Sequence, residues 1–173
     1  MNCIEKYLAR AAGVEEAHAG DDLSCRVSYV AAHDVTAPIA IKMFREIGVK
    51  KVFDPDRVVL IVDHIYPAAT EKARNSVWAM DDFAKEFGVH LYHRGEGVIH
   101  QLMYEKHRAN PGDLIAIADS HTGTCGGYGV MGVGVGSTAG GGVGSGSGPL
   151  LTVSVILAPS CTWVPAGMVW SMT

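Results

Sequence analysis

The chain has 173 residues, 14 Lys plus Arg against 18 Asp plus Glu, and a formal net charge of −4. With 48% apolar and 18% charged residues it has the composition of a soluble globular domain, not of a disordered chain, a collagen-like fibre or a basic nucleic-acid-binding segment. The averages conceal a partition: all 32 charged residues lie at or before Asp119, and 13 of the 21 glycines fall between Gly123 and Gly148.

Ile4 to Ala12 sets Ile4, Tyr7, Leu8 and Ala11 on one helical face. Cys25 to Ala31 alternates apolar and polar residues and is expected to be one half-buried strand. Thr36 caps a predicted helix with Pro38 in its first turn, a stripe of Ile39, Met43, Phe44 and Ile47, and Gly48 as its stop. Val58 to Val62 is a continuous apolar run of the kind a parallel strand buried on both faces requires. Thr70 to Phe87 is a helix with Val77, Met80, Ala84 and Phe87 inward and Gly88 as terminator. Val89 to Tyr92 is a short strand, Val98 to Lys106 a helix, and Leu114 to Ala118 another apolar strand. The middle of the chain is therefore β-α-β-α-β, the signature of an α/β domain with a mainly parallel sheet.

Beyond Gly126 the pattern weakens. Gly126 to Gly136 is expected to be a small-residue helix, Ala139 to Gly148 a flexible linker, and Leu151 to Leu157 one further strand. Residues 158 to 173 show no usable periodicity. No run approaches the roughly 20 apolar residues of a membrane span, and Met1 to Lys6 has no secretory pattern. Cys3, Cys25, Cys125 and Cys161 form no C-x-x-C pair, so no zinc knuckle or disulfide framework is implied and a cytoplasmic location is expected.

In parallel α/β sheets ligands bind at the carboxyl ends of the strands. Here those ends carry Asp63-His64, then His93 with the loop that leads to His100, then Asp119-Ser120-His121. A carboxylate beside an imidazole fixes its tautomer and raises its pKa, as a proton-transferring histidine needs. Each pair alone is equally a helix cap beside a surface histidine; convergence at three strand ends favours a site. His18, His90 and His107 have no companions in the sequence, and Glu96 and Gln101 fit loop and solvated-helix positions. Gly127 to Gly132 matches G-x-G-x-x-G but begins well after its strand and precedes no acidic residue, so it is not a dinucleotide site.

Phe53-Asp54-Pro55-Asp56-Arg57, Asp63-His64, Gly97-Val98-Ile99-His100-Gln101, Pro111-Gly112, Ala118-Asp119-Ser120-His121-Thr122, Gly126-Gly127 and Gly134-Val135-Gly136-Ser137-Thr138 occur in the order and spacing of the aconitase superfamily. The chain resembles, within it, the 3-isopropylmalate dehydratase large subunits and homoaconitase-like hydro-lyases. Ala32 to Pro38 also fits that group, where aconitases proper carry glutamine at the His33 position. The resemblance implies a three-layer α/β/α domain over residues 1–138 and an enzyme that removes and re-adds water on a small hydroxy-acid at a [4Fe-4S] cluster. It implies Asp63, His64, His100, Asp119 and His121 as catalytic residues and His33 and Ser120 as substrate contacts. A small-subunit, swivelling-domain partner is implied as well, with no nucleic acid and no membrane.

None of the four cysteines matches the family's cluster ligands, and the substrate-binding arginines have no counterpart in this sequence. The charge-free stretch 139–173 fits no part of the family, as a truncated or frame-shifted coding sequence would produce. The chain is thus expected to be an N-terminal piece that is silent by itself. Two other classes fit less well. A zinc or manganese hydrolase would use Asp63, His64, His100, Asp119 and His121 as ligands, although adjacent side chains such as Asp63 and His64 are expected to point apart. A non-catalytic module would dock through Leu151 to Leu157 and Trp163.

Overall fold

The computed structural model describes residues 1–137 and the backbone of a strand at 152–156. The expected linker at 139–148, the segment 158–173, Cys161 and Trp163 lie outside the described residues.

Helix α1 (Cys3–Ala12) starts at a reciprocal cap, in which the Asn2 side chain accepts from the Glu5 amide and the Glu5 carboxylate accepts from the Asn2 amide. It stops at Gly13, whose φ of 71° is left-handed. The single strand expected over Cys25 to Ala31 is instead two, β1 (Asp22–Arg26) and β2 (Tyr29–His33), which belong to different sheets. The break falls at Val27-Ser28, where the Ser28 amide donates to the Leu114 carbonyl and the Ser28 hydroxyl to Asp113 at 3.0 Å. An alternating pattern survives such a crossing unchanged, so periodicity does not reveal it.

Helix α2 (Ala37–Glu46) carries Pro38 in its first turn, as expected, but buries Ala37, Ile41 and Phe44 and leaves Ile39 and Ile47 exposed. The strands β3 (Val58–Ile61), β4 (His90–Tyr92) and β5 (Leu114–Ile117) and the helices α3 (Glu71–Phe87) and α4 (Ile99–Glu105) fall where the sequence places them. Thr70 caps α3 by accepting from the Ala73 amide at 3.2 Å. The expected helix over Gly126 to Gly136 is replaced by a 3-10 segment (Thr122–Tyr128) and strand β6 (Met131–Gly134). A Cβ at Gly132 would overlap the Thr122 carbonyl oxygen, and one at Gly134 would lie 2.9 Å from the Asp119 carbonyl oxygen. These glycines let the strand lie against the preceding turn; helix packing is not their purpose. The strand expected at 151–157 forms as β7 (Thr152–Ile156), antiparallel to β1.

The main sheet is fully parallel, in the order β4-β3-β2-β5-β6. Side chains alternate strictly between its faces. Val30, Leu60, Leu114 and Ala116 pack with residues of α1, α2 and α3 on one face; Ala31, Val59, Ile115 and Ile117 pack with α4 and the 3-10 segment on the other. The result is the three-layer α/β/α domain expected. From β2 the chain winds outward through β3 and β4, then returns to the far side of β2 as β5. The order therefore reverses at β2, and a crevice opens there at the carboxyl ends.

Candidate active site

β2 ends in His33-Asp34, β3 in Asp63-His64 and β5 in Asp119-Ser120-His121, so all seven expected site residues except His100 stand at or just beyond the carboxyl ends around that reversal. His100 joins them from the first turn of α4.

Past the end of β3 the backbone is no longer pleated, and neighbouring side chains are free to meet. The His64 Nδ1 lies 2.6 Å from Asp63 Oδ1, contrary to the expectation that the two point apart. Asp63 is nearly sealed, and its Oδ2 accepts from the Ile99 amide at 2.7 Å. It thus supplies from another element the cap that α4 lacks at its own N-cap, Val98. Because the carboxylate accepts, His64 carries its proton at Nδ1 when neutral, and Nε2 is left for solvent or substrate. The His64 side chain is 42% exposed.

Beneath it lies His33, buried and stacked on His64 with ring centroids 3.7 Å apart and planes 12° from parallel. His33 Nδ1 accepts from the Val35 amide at 3.3 Å, which puts its proton on Nε2. Burial pushes the His33 pKa below its ordinary value, and the charge of His64 adds to that, so His33 is held neutral.

The second pair is different. His100 Nε2 lies 3.0 Å from Asp119 Oδ1, while its Nδ1 faces the Cys125 sulfur at 3.9 Å. Burial pushes the Cys125 thiol up, so sulfur keeps its proton and serves as a weak donor. Both imidazole nitrogens are therefore engaged. Asp119 Oδ2 accepts from the His121 amide at 2.7 Å. Burial disfavours the charged Asp119, but the His121 amide and the His100 ring together outweigh it and hold the carboxyl below its ordinary value. The His121 ring is 77% exposed, with Nδ1 3.0 Å from the Ser120 hydroxyl and 3.5 Å from Asp119. An open cleft beside them is lined by Thr36, Asp119, Ser120, Thr122, Gly134 and Ser137.

Nothing in the sequence marks Asp34, because a carboxylate after a strand resembles any turn residue. It is fully buried and accepts from the amides of His64 and Ile65. His90, expected to lack companions, sits between Arg108 Nη2 at 3.2 Å and Asp56 at 3.3 Å.

The residues proposed for a mononuclear hydrolase do not converge as one ligand set. Among the described residues the group able to surround an ion is His33, Asp34, Asp63 and His64. Its acceptors already serve the protein: Asp34 and Asp63 each accept two hydrogen bonds, and His33 Nδ1 accepts from the Val35 amide. Among the described residues no helix is long and apolar enough to cross a membrane.

Residues 5–141 match the model of the aconitase family (aconitate hydratase). The chain is 49% identical over 140 residues to a 3-isopropylmalate dehydratase large subunit of Desulfatibacillum aliphaticivorans, covering 80% of this chain and 33% of that protein. It is 40% identical over 139 residues to the 3-isopropylmalate dehydratase large subunit of Aquifex aeolicus, with 80% and 32% covered. A similar protein of Pyrococcus furiosus, 3-isopropylmalate dehydratase large subunit 1, is 44% identical over 140 residues, with 80% and 33% covered. The chain thus spans about a third of the length of these relatives.

Proposed function

This chain belongs to the aconitase family, and from that premise we propose that it forms the histidine–carboxylate wall of a hydro-lyase active site for a small hydroxy-acid of the 3-isopropylmalate class. The observation that carries this reading is the convergence at one sheet reversal of His64 on buried Asp63 and His100 on buried Asp119. The relatives' designation as large subunits supports a small-subunit partner that completes the site.

Removal of water from a hydroxy-acid needs a proton delivered to the departing hydroxyl and a proton taken from the adjacent carbon; the residues of this chain serve the first, and the base for the second is left to the partner that completes the site. His64 is the donor to the hydroxyl: Asp63 holds its Nδ1, and Nε2 is left to give up the proton. In the hydration direction the same nitrogen accepts the proton back. His33, neutral with its proton on Nε2, offers a hydrogen bond to a substrate oxygen without adding charge beside His64. His100 orients Asp119, which in turn fixes the turn presenting Ser120 and His121 to a substrate carboxylate.

The family's iron–sulfur cluster would supply the Lewis acid for the hydroxyl and needs several thiolates in one place. Among the described residues Cys3 is exposed on α1, whereas Cys25 and Cys125 are buried in cores on opposite faces of the sheet. Burial pushes the Cys25 thiol up to about 11, and its sulfur contacts the Leu8 carbonyl oxygen. The described cysteines do not fit the cluster.

The test is a chimera in which residues 5–141 replace the matching third of the Desulfatibacillum relative. Turnover of 3-isopropylmalate is expected to persist. Its survival at full rate in the H64Q chimera, or its loss in an otherwise intact parent chimera, contradicts the proposal.

A further inference from the structure

Asp34 is the one acidic residue with no exposed surface among the described residues, and nothing in the chemistry above uses it. Burying a carboxylate is costly unless its oxygens are well partnered. Here Oδ1 accepts from the His64 amide at 3.0 Å and Oδ2 from the Ile65 amide at 2.9 Å. These amides belong to the two peptide units on either side of the His64 Cα. Asp34 therefore grips the backbone from which the imidazole projects, reaching across from the end of β2 to the turn after β3.

Its neighbour in sequence does the same to the ring. His33 lies flat under His64 at 3.7 Å, and the third restraint, Asp63, holds Nδ1. His33 and Asp34 leave β2 consecutively, so one short turn fixes both the main chain and the face of the same histidine. That turn is itself closed by hydrogen bonds from the His33 amide to the Thr36 hydroxyl and from the Val35 amide to His33 Nδ1. Thr36, expected as a side-chain cap of α2, makes no capping bond and uses its hydroxyl here instead.

We propose that Asp34 is the positioning residue for His64: by fixing the peptide units on both sides of its Cα, it places the ring over His33 with Nδ1 on Asp63 and Nε2 outward. The inference rests on the reading of His64 as the proton-transfer group. Its subject is conformation, however, so it is tested without turnover and fails separately from the hydro-lyase assignment.

The experiment is nuclear magnetic resonance on the full 173-residue chain. In the unmodified protein, through-hydrogen-bond couplings are expected from the His64 and Ile65 amides to the Asp34 carboxyl carbon. The D34N variant retains size but turns one acceptor into a donor facing an amide. Exchange of the His64 and Ile65 amides should accelerate roughly tenfold or more. His64 should pass from one Nδ1–H tautomer to a mixture, while the β5 amides of Ile115 and Ile117 stay protected. D63N is the contrasting variant, expected to disturb the tautomer and leave the exchange of the His64 amide unchanged. A folded D34N protein with unaltered His64 tautomer and exchange overturns the proposal. So does the absence of both couplings in the unmodified chain, which decides the matter even if D34N fails to fold.

Discussion

The two histidine–aspartate pairs at the head of the sheet use the same residue types and arrive at opposite protonation patterns. Asp63 takes the Nδ1 proton of His64 and leaves Nε2 facing out of the protein. Asp119 takes the Nε2 proton of His100, and the remaining nitrogen is covered by the Cys125 sulfur. The difference comes from location. His64 lies on a turn beyond a strand, open on one side, whereas His100 lies in a helix whose inner face packs against the 3-10 segment. An imidazole with a free nitrogen exchanges protons; one with both nitrogens engaged orients what it touches.

The largest expected effect is on rate. In the active chimera H64Q should lower kcat by about 10²- to 10⁴-fold, the usual contribution of a positioned acid–base group. H100Q keeps polar contacts and should cost less, on the order of tenfold, through displacement of Asp119. Equal losses would erase the distinction between the pairs.

Next in size are effects on folding, read as urea midpoints. D63A should destabilise the chain by about 2–3 kcal/mol, because the buried Ile99 amide and His64 Nδ1 both lose a charged acceptor. G132A should cost about 1–3 kcal/mol by forcing β6 away from Thr122. Its effect belongs to the Asp119 side, so His121 resonances should shift while those of His64 do not.

A smaller effect concerns pH. Because burial lowers the His33 pKa below 6.5, the unfolded chain binds more protons than the folded one as pH drops past that value. His33 therefore contributes a loss of stability that begins near pH 6.5 and grows until the pH passes its folded pKa. Asp119 acts in the same direction lower down: its contribution is present above 3.8 and fades as pH falls through its depressed folded pKa. H33Q should flatten the upper part of the stability profile and leave the lower part in place. The smallest expected signal is from metal. Iron and sulfide reconstitution of this chain should yield no cluster absorbance, and zinc should not bind stoichiometrically at His33 and His64.

Much of this was legible in the sequence, for definite reasons. A buried parallel strand must be apolar throughout, so Val58 to Val62 and Leu114 to Ala118 announced both the strands and the positions of Asp63, His64 and Asp119 beyond them. Asp34 was not legible, since its role depends on the amides of residues 30 positions away. The break at Val27-Ser28 was hidden because an alternating pattern continues from one sheet into another. Gly126 to Gly136 misled for a different reason. Small residues suit close packing of helices and of strands alike, and only the approach of Thr122 to Gly132 distinguishes them.

The contrast between the pairs is tested most directly by long-range proton–nitrogen correlation spectra of the histidine rings in the unmodified chain above pH 7. The structure predicts the Nδ1–H tautomer for His64 and the Nε2–H tautomer for His100. The same tautomer at both residues, or rapid averaging at both, would contradict the division of labour between them.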